Sequence, residues 1–206
     1  MEHYFTNNSN LKSNKKLINF KFKNKEYKFY TDNGVFSKDS VDVGTTVLLS
    51  ALNFDKISGM VLDIGCGYGP IGIIIADKTN SAVDMIDINE RAISLAKENI
   101  KLNKVNNANV FISNMYEHIN EKYNYIISNP PIRIGKSNLY KIITFAKNYL
   151  TDDGELIIVI NKHQGAKSLI KDMSKYYKIN VLEKKHDFFL ISLKNNWQIE
   201  FSLITL

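Results

Sequence analysis

VLDIGCGYGPIG, residues 61–72, is a short apolar run followed by closely spaced glycines. The apolar run has the length and composition of a buried strand, and a proline directly after glycines is typical of the first turn of a helix. Glycines between a strand and a helix permit a tight turn whose backbone can approach a ligand closely. The stretch therefore predicts the first strand–turn–helix unit of an α/β fold.

The chain that follows this unit repeats the alternation of strands and helices. Strands are predicted at 82–87, 108–113, 123–128, 155–160, 179–184 and 187–193. Helices are predicted at 90–103, 137–150 and 164–176, and the TDDG sequence at 151–154 is interpreted as a turn. This alternation predicts an α/β fold with a doubly wound, mostly parallel sheet.

The chain before this unit has a different pattern. Residues 18–22 and 26–30 alternate apolar with polar side chains, which predicts a β-hairpin, and a loop at 31–45 and a short helix come next. One domain is expected over the whole chain, divided into an N-terminal hairpin extension at 1–35, a core at 36–194 and a tail of unassigned role at 195–206.

Composition excludes several classes of protein. Cys66 is the single cysteine and the four histidines follow no ligand spacing, so neither a disulfide nor a metal site is expected. No apolar run reaches the length of a membrane span, and the first ten residues lack the apolar region of a signal peptide. We therefore expect a soluble, cytoplasmic protein. The net charge of +6 comes from 25 lysines and two arginines, and it gives only weak support for a nucleic-acid partner.

The glycine series contains a dinucleotide-binding pattern. Gly67, Gly69 and Gly72 form G-x-G-x-x-G, and Asp87 lies 20 residues beyond Gly67, at the end of the next predicted strand. In a dinucleotide site, such glycines admit a pyrophosphate and such an acid holds a ribose hydroxyl. A nicotinamide-dependent oxidoreductase is therefore one possible interpretation.

A longer motif overlaps the first, because Asp63 and Gly65 extend the series to D-x-G-x-G-x-G. This form resembles motif I of the class I S-adenosylmethionine-dependent methyltransferases. The resemblance implies a Rossmann-like methyltransferase fold, with S-adenosylmethionine as the cofactor. It also implies that the glycine turn approaches the amino-acid end of the cofactor and that Asp87 accepts hydrogen bonds from both ribose hydroxyls. Cys66 is interpreted as a small residue within the turn.

A second motif, IISNPPIRIG at 126–135, ends the predicted strand 123–128 with an amide and two prolines. Proline fixes its own φ and extends the residue before it, so Asn129-Pro130-Pro131 forms a stiff corner. Ligands of doubly wound sheets bind at such strand ends. The Asn129 side-chain oxygen and the Pro130 carbonyl can accept the two hydrogens of an exocyclic amine, which directs its lone pair toward a methyl donor. The motif resembles the N-P-P-(Tyr/Phe) signature of amino-directed methyltransferases.

The sequence departs from that signature at Ile132, where the family has an aromatic residue that stacks on the target base. Stacking contributes about 1–3 kcal/mol per base. Phe36, in the segment GVFSKDSVDVGT, is the candidate for the missing ring. Arg133, which follows Ile132, is expected to contact a phosphate or the guanine face, and the alternative is a surface arginine paired with an acid.

Four segments, GVFS, DVGT, DIGCG and NPPIR, together resemble the small, single-domain relatives of the bacterial ribosomal small-subunit RNA guanine-N2 methyltransferases. The resemblance implies methyl transfer to a guanine exocyclic amine, with ribosomal RNA or the small ribosomal subunit as the partner. It implies that Asp42 and Thr45 help to enclose the cofactor, although Asp42 fits a helix N-cap equally well. The expected cofactor-binding residues are Asp42, Thr45, Asp63, Gly65, Cys66, Gly67, Gly69, Asp87, Ile88 and Asn114.

Further interpretations remain open from the sequence. A protein amide N-methyltransferase would use a similar corner, and an RNA-binding assembly factor would hold the cofactor without transferring a methyl group. The hairpin lysines predict either an RNA-backbone contact surface beside the catalytic edge or a merely solvated face. These lysines are Lys21, Lys23, Lys25 and Lys28. Arg91 is interpreted as a solvated helix residue.

Overall fold

The computed structural model describes residues 11–131 and 134–195. Its strands are β1 (Lys16–Phe22), β2 (Lys25–Thr31), β3 (Met60–Ile64), β4 (Ala82–Asp87), β5 (Ala108–Ile112), β6 (Tyr123–Ser128), β7 (Leu150–Asn161), β8 (Tyr177–Lys185) and β9 (Phe188–Asn195). Its helices are α1 (Val43–Ala51), α2 (Pro70–Lys78), α3 (Glu90–Leu102), α4 (Lys136–Ala146) and α5 (Ala166–Met173).

Seven strands form one sheet in the order β5-β4-β3-β6-β7-β9-β8. The strands from β5 to β7 are parallel, whereas β9 runs antiparallel to both β7 and β8. The carboxyl ends of the parallel strands share one edge of the sheet, which we call the rim. The strand order reverses between β3 and β6, and a crevice at such a reversal is where doubly wound folds bind ligands.

Both faces of the sheet are covered, as parallel sheets require. Val61 and Ile127 pack in one apolar core with α1, α2 and α3, and Leu62 and Ile126 pack in a second core with α4 and α5. These four side chains are completely buried. The prediction of a doubly wound, mostly parallel sheet preceded by a hairpin is confirmed.

The start of β7 differs from the sequence prediction. The TDDG segment lies inside β7 rather than in a turn before it, and α4 ends at Ala146. Tyr123 pairs with Leu150 whereas Tyr125 pairs with Glu155, so the extra residues form an irregularity within the strand pair. Gly154 allows this close approach, since a Cβ there would lie 2.9 Å from the Tyr123 carbonyl oxygen.

The helix predicted at 164–176 is also shorter than expected. Residues Lys162–Gln164 form a 3-10 turn, and α5 then spans Ala166–Met173. Gly165 separates the two with a φ of +82°, a left-handed conformation that interrupts helical geometry. This break places the 3-10 turn at the rim.

The hairpin of β1 and β2 packs on α3, and its turn lies at the end of α3 away from the rim. Lys25 Nζ pairs with Asp77 in the last turn of α2, and Asn103, just beyond α3, donates a hydrogen bond of 2.7 Å to the Lys28 carbonyl. The 13 residues of α3 span about 20 Å from the rim to this end. The expected position of the hairpin lysines beside the catalytic edge is therefore wrong.

Arg91 is not a solvated helix residue. Its guanidinium donates hydrogen bonds to the carbonyl oxygens of Asn33, at 2.7 Å, and Leu11, at 2.5 Å, and it lies 3.8 Å from the Asp32 carboxylate. Arg91 thus fastens the segment around the hairpin to the start of α3. These partners lie 58 to 80 positions earlier in the chain, so no local pattern around residue 91 indicates them.

Within the described ranges, no helix is long and apolar enough to cross a membrane. The same part of the chain holds no group of three or more histidine, cysteine or acidic side chains arranged to bind a metal ion.

Candidate active site

A cavity of about 310 Å³ opens at the rim where the strand order reverses. Its volume is at the lower end of the range for small-molecule sites. The glycine turn and the ends of β4 and β5 contribute the predicted residues Gly65, Cys66, Gly67, Asp87, Ile88 and Asn114. The segment that leads into α1 and the end of β6 contribute the predicted residues Phe36, Asp42, Thr45, Asn129, Pro130 and Pro131. Ile132 and Arg133 lie outside the described residues.

The glycine turn presents bare backbone to this cavity. Gly65 and Gly67 have φ values of +72° and +57°, in the left-handed region that favours glycine. A Cβ atom on either residue would meet nothing within 4 Å, so both face open space. The turn is held from behind, because the backbone N–H groups of Gly65 and Cys66 both donate to the Ile86 carbonyl at 2.9 Å. The arrangement is a rigid concave surface that a ligand can approach at backbone distance.

Gly69 and Asp63 do not line the cavity and instead support the turn from below. Gly69 caps α2 with a φ of +95°, and a Cβ there would lie 3.0 Å from Ile73 Cδ1. Asp63 is fully buried, and its Oδ2 accepts a 2.9 Å hydrogen bond from Gly72 N–H. Burial raises the pKa of Asp63 to about 7. Its other oxygen, Oδ1, has no hydrogen-bond partner among the described residues.

Asp87 connects the end of β4 to the glycine turn. Its Oδ2 accepts a hydrogen bond from Gly67 N–H and its Oδ1 accepts one from Asn89 N–H, each at 2.9 Å. A carboxylate has about four acceptor sites, so capacity remains for hydroxyl groups in the cavity. Burial holds the pKa of Asp87 above its usual value. These features fit a ribose with two free hydroxyls.

Asn114 follows β5 on the same side of the cavity. Its Nδ2 donates to Glu117 Oε1 at 2.7 Å, which directs the side chain and leaves Oδ1 as an acceptor. The neighbouring Ser113 is buried and donates from Oγ to the Met115 carbonyl at 2.9 Å. Met115 also lines the cavity, with a left-handed φ of +51°. An amide oxygen held in this way can accept from the exocyclic amine of a purine.

Asn129 is oriented by two residues from a distant segment. Its Nδ2 donates hydrogen bonds to Asp42 Oδ2 at 2.8 Å and to Thr45 Oγ1 at 2.9 Å. Both amide hydrogens are thereby used, so the flip of the amide is fixed and Oδ1 is an acceptor. Within the described chain, nothing donates a hydrogen bond to that oxygen. A rigid acceptor of this kind can receive one hydrogen of an amine.

Asp42 combines two roles in this corner. It is the N-cap of α1, where its Oδ2 also accepts from Thr45 N–H at 3.1 Å. Gly44 makes the approach possible, since a Cβ there would lie 2.9 Å from Asp42 Oδ2 and 3.2 Å from Asn129 Oδ1. The N-cap interpretation of Asp42 is confirmed, and its contact with Asn129 was not foreseen from the sequence.

Sequence reasoning also missed one wall of the cavity. Ile134, Asn138 and Ile142 line it from the start of α4 and the residues before it. Their spacing of four residues places them on one face of the helix, and that periodicity next to the N-P-P motif was an available signal. No comparable sequence pattern indicated Val35, Ser37 and Tyr68, because they lie in loops whose course the tertiary structure sets.

The fold and the site define the class of protein to which the chain belongs. Residues 26–192 match the family model "Methyltransferase small domain", and the chain belongs to this family. The architecture is that of a class I, Rossmann-like methyltransferase, which confirms the family prediction and argues against the oxidoreductase alternative.

Among the particular relatives, "Uncharacterized protein YbxB" of Bacillus subtilis is 38% identical over 197 residues, which cover 94% of this chain and 98% of that protein. "Ribosomal RNA small subunit methyltransferase C" of Haemophilus influenzae is 37% identical over 171 residues, or 81% of this chain and 51% of that protein. The chain thus spans about half the length of such larger relatives.

One solved structure has the same fold over most of the chain. It is the T. thermophilus 16S rRNA N2 methyltransferase RsmC in complex with AdoMet and guanosine. The TM-score is 0.79 at 21% identity, over 88% of this chain and 51% of that one.

Proposed function

We propose that this chain transfers a methyl group from S-adenosylmethionine to the exocyclic amine of a guanine in small-subunit ribosomal RNA. The observation that carries the proposal is the fixed orientation of Asn129, whose acceptor oxygen stands beside the glycine turn in one cavity. Relatives named as small-subunit ribosomal RNA methyltransferases support the RNA substrate, and their match extends over most of this chain.

The cofactor half of the cavity has the donors and acceptors that S-adenosylmethionine requires. Asp87 would receive the two ribose hydroxyls, and the backbone of Gly65 and Gly67 would face the amino-acid end. Asn114 and the apolar Ile88 would contact the adenine. When bound, the cofactor supplies a methyl group on a positively charged sulfonium, and the leaving group is a neutral thioether.

The substrate half would orient the guanine amine. Asn129 Oδ1 and the Pro130 carbonyl accept its two hydrogens, so the nitrogen lone pair points away from both acceptors and toward the methyl donor. The amine nitrogen would form a bond to the methyl carbon that the cofactor supplies, in exchange for the bond from that carbon to sulfur, and the nitrogen would then release one proton to solvent. Positioning and electrostatic stabilisation supply the rate enhancement, and the stiff prolines hold the acceptors in place.

Phe36 is the proposed stacking ring for the target base. It lines the same cavity as Asp42 and Asn129, so its ring would be available to a base that is bound there. Arg133 remains a proposed contact to phosphate or to the guanine face. Replacing Phe36 with Leu should raise the KM for RNA and leave cofactor affinity unchanged.

The test uses S-adenosylmethionine with a labelled methyl group and small ribosomal subunits that lack late modifications. After incubation, RNA and protein fractions are separated and the RNA is digested to nucleosides. Label recovered as N2-methylguanosine supports the proposal, and Asn129→Ala is the matched catalytic control. Label in the protein fraction would favour a protein amide methyltransferase. Cofactor and RNA binding without label in either fraction would favour an assembly factor.

A further inference from the structure

A cluster of basic side chains stands at the rim, outside the cavity. We call it the rim cluster, and its members are Lys162, His163, Lys184, Lys185 and His186. We propose that the rim cluster binds the phosphate backbone of the RNA substrate next to the methylated base. This inference rests on the proposed function and names the surface through which the substrate docks.

The sheet topology brings these residues together from two segments. β7 ends at the rim with Asn161, and Lys162 and His163 follow in the 3-10 turn. β9 is antiparallel to β7 and pairs Phe188 with Asn161, so the turn between β8 and β9 also reaches the rim. Lys162 N–H donates a 2.7 Å hydrogen bond to the Asp187 carbonyl, which joins the two segments.

Residues next to the rim cluster contact the N-P-P corner and the start of α1 beside it. Gln164, in the same 3-10 turn as Lys162, donates from Nε2 to the Pro131 carbonyl at 3.2 Å. Phe188, opposite Lys185 in the strand register, lies against Gly44, where a Cβ would be 2.9 Å from Phe188 Cε1. An RNA whose guanine enters the cavity would therefore carry its neighbouring phosphates across this surface.

The side chains of the cluster are accessible to a ligand, although Asp187 partly neutralises Lys162 and Lys184 Nζ lies 5.5 Å from the centre of the Phe189 ring. All five side chains are exposed, with His163 at 71% and Lys162 at 51% of their full accessibility. Asp187 pairs with Lys162 at 2.7 Å and lies 3.9 Å from His163 Nε2. Lys184 and Lys185 form no salt bridge with any carboxylate of the described chain. Lysine ammonium groups and imidazole N–H groups both donate to phosphate oxygens.

Protection of a sheet edge accounts for only part of the rim cluster. β8 is an edge strand, and lysines on an edge discourage pairing with another chain. That role does not extend to Lys162 and His163, which lie beyond the sheet in the 3-10 turn.

Three lysines around the hairpin pair with an acid, and the pairs are Lys15 with Glu98, Lys16 with Asp39 and Lys25 with Asp77. A lysine that is paired with an acid attracts a phosphate less strongly than Lys184 and Lys185, which have no acidic partner among the described residues. Lys21, Lys23 and Lys28 form no salt bridge with a described carboxylate, so they differ from Lys184 and Lys185 in their distance from the rim rather than in the availability of their charges.

The experiment compares two double charge reversals that change the net charge equally. The rim variant is Lys184→Glu with Lys185→Glu. The matched control is Lys21→Glu with Lys28→Glu, on exposed lysines at the far end of the hairpin. Binding of unmodified small-subunit ribosomal RNA is measured as a function of salt, and cofactor binding is measured separately by thermal shift. A milder pair, Lys184→Gln with Lys185→Gln, serves if the reversal prevents folding.

The rim variant should bind RNA at least tenfold more weakly at low salt, and it should keep the cofactor-induced thermal shift of the wild type. Each lost phosphate contact lowers the salt slope by about 0.7 for a single strand, so two contacts lower it by about 1.4. The KM for RNA should rise while kcat at saturating RNA is retained. The control variant should bind RNA as the wild type does.

Equal losses in both variants, or no loss in the rim variant, would overturn the proposed surface while leaving the methyltransferase activity in place. A wild-type protein that binds the cofactor but neither naked nor assembled small-subunit RNA would refute the proposed function and, with it, this docking surface.

Discussion

The two halves of the cavity are built in different ways. The cofactor half is formed largely by one continuous segment of turn, helix and strand, in which Gly67 and Asp87 lie 20 residues apart. The substrate half depends on contacts between Asn129 and residues 84 and 87 positions earlier in the chain, Thr45 and Asp42. A local motif therefore prepares the cofactor site, whereas the orientation of the catalytic amide requires the complete tertiary fold. Substitutions in the two halves should have separable effects.

The largest effect is expected from Asn129→Ala, which removes the acceptor for the amine. Loss of one preorganised polar group of this kind typically lowers kcat by about 100- to 1,000-fold. Cofactor affinity should stay within about twofold of wild type, because no proposed cofactor contact is removed. The measurement is single-turnover methylation together with calorimetric cofactor binding. An equal loss of cofactor affinity would show that the two halves are not separable.

Asp87→Asn should weaken cofactor binding by about 10- to 100-fold, since a hydrogen bond to a charged group contributes about 1.5–3 kcal/mol. Turnover at saturating cofactor should change much less. The pH dependence provides a second check. The carboxylate must be ionised to accept two hydroxyls, and burial raises its pKa.

Wild-type cofactor affinity should therefore fall as the pH drops through the raised pKa of Asp87, above the ordinary carboxyl range. The asparagine variant should lack this decline, which calorimetry at several pH values would reveal. A wild-type affinity that stays constant down to the usual carboxyl range would show that the pKa of Asp87 is not raised, whereas an Asp87→Asn variant with wild-type affinity would contradict the proposed contact.

Asp63 should make folding stability depend on pH. Its pKa is about 7 in the folded protein against an ordinary value of 3.8, so the folded state holds a proton that the unfolded state releases. This contribution to stability is greatest at low pH, falls as the pH rises toward 7 and is gone above it. At about 1.4 kcal/mol per pH unit up to the folded-state pKa, roughly 2–3 kcal/mol should be lost between about pH 5 and pH 8, nearly all of it below about pH 7.

Urea unfolding of wild type and Asp63→Asn at both pH values measures this difference. The variant should lose less stability between the two pH values, whatever its absolute stability. If the free energy of unfolding changes equally with pH in both proteins, Asp63 is ionised in the folded protein at neutral pH. Other interactions then offset the cost of burying its charge.

The smallest effect is expected from Asp42→Ser. Serine preserves the N-cap of α1, but its side chain is too short to hold the Asn129 amide. The value of kcat should fall about tenfold, the equivalent of about 1.4 kcal/mol, with little change in melting temperature or cofactor affinity. Asp42→Asn is the matched control, because one amide oxygen can accept from both Thr45 and Asn129. If the serine variant has the kcat of the wild type, Asp42 does not position Asn129 for catalysis.

Much of the fold was predictable because its signals are local. The strands at 82–87 and 123–128 match the prediction residue for residue, since buried parallel strands are short apolar runs bounded by turn residues. The boundaries of α4 and β7 were missed, because the irregularity at Gly154 reflects pairing between β6 and β7 rather than the preference of the TDDG segment. Turn propensity was overridden there by hydrogen bonding to a neighbouring strand.

The sequence by itself determined the class of fold, the glycine turn and the identity of the chemical groups at the rim. Those features depend on φ preferences, on apolar periodicity and on residue type, all of which are local properties of the sequence. Only the tertiary structure decided that Asp42 and Thr45 fix the Asn129 amide, that the hairpin turn lies away from the rim, and that Lys162 and Lys185 both lie at the rim. Contacts between distant segments depend on strand order and register, which the whole sheet sets when it packs.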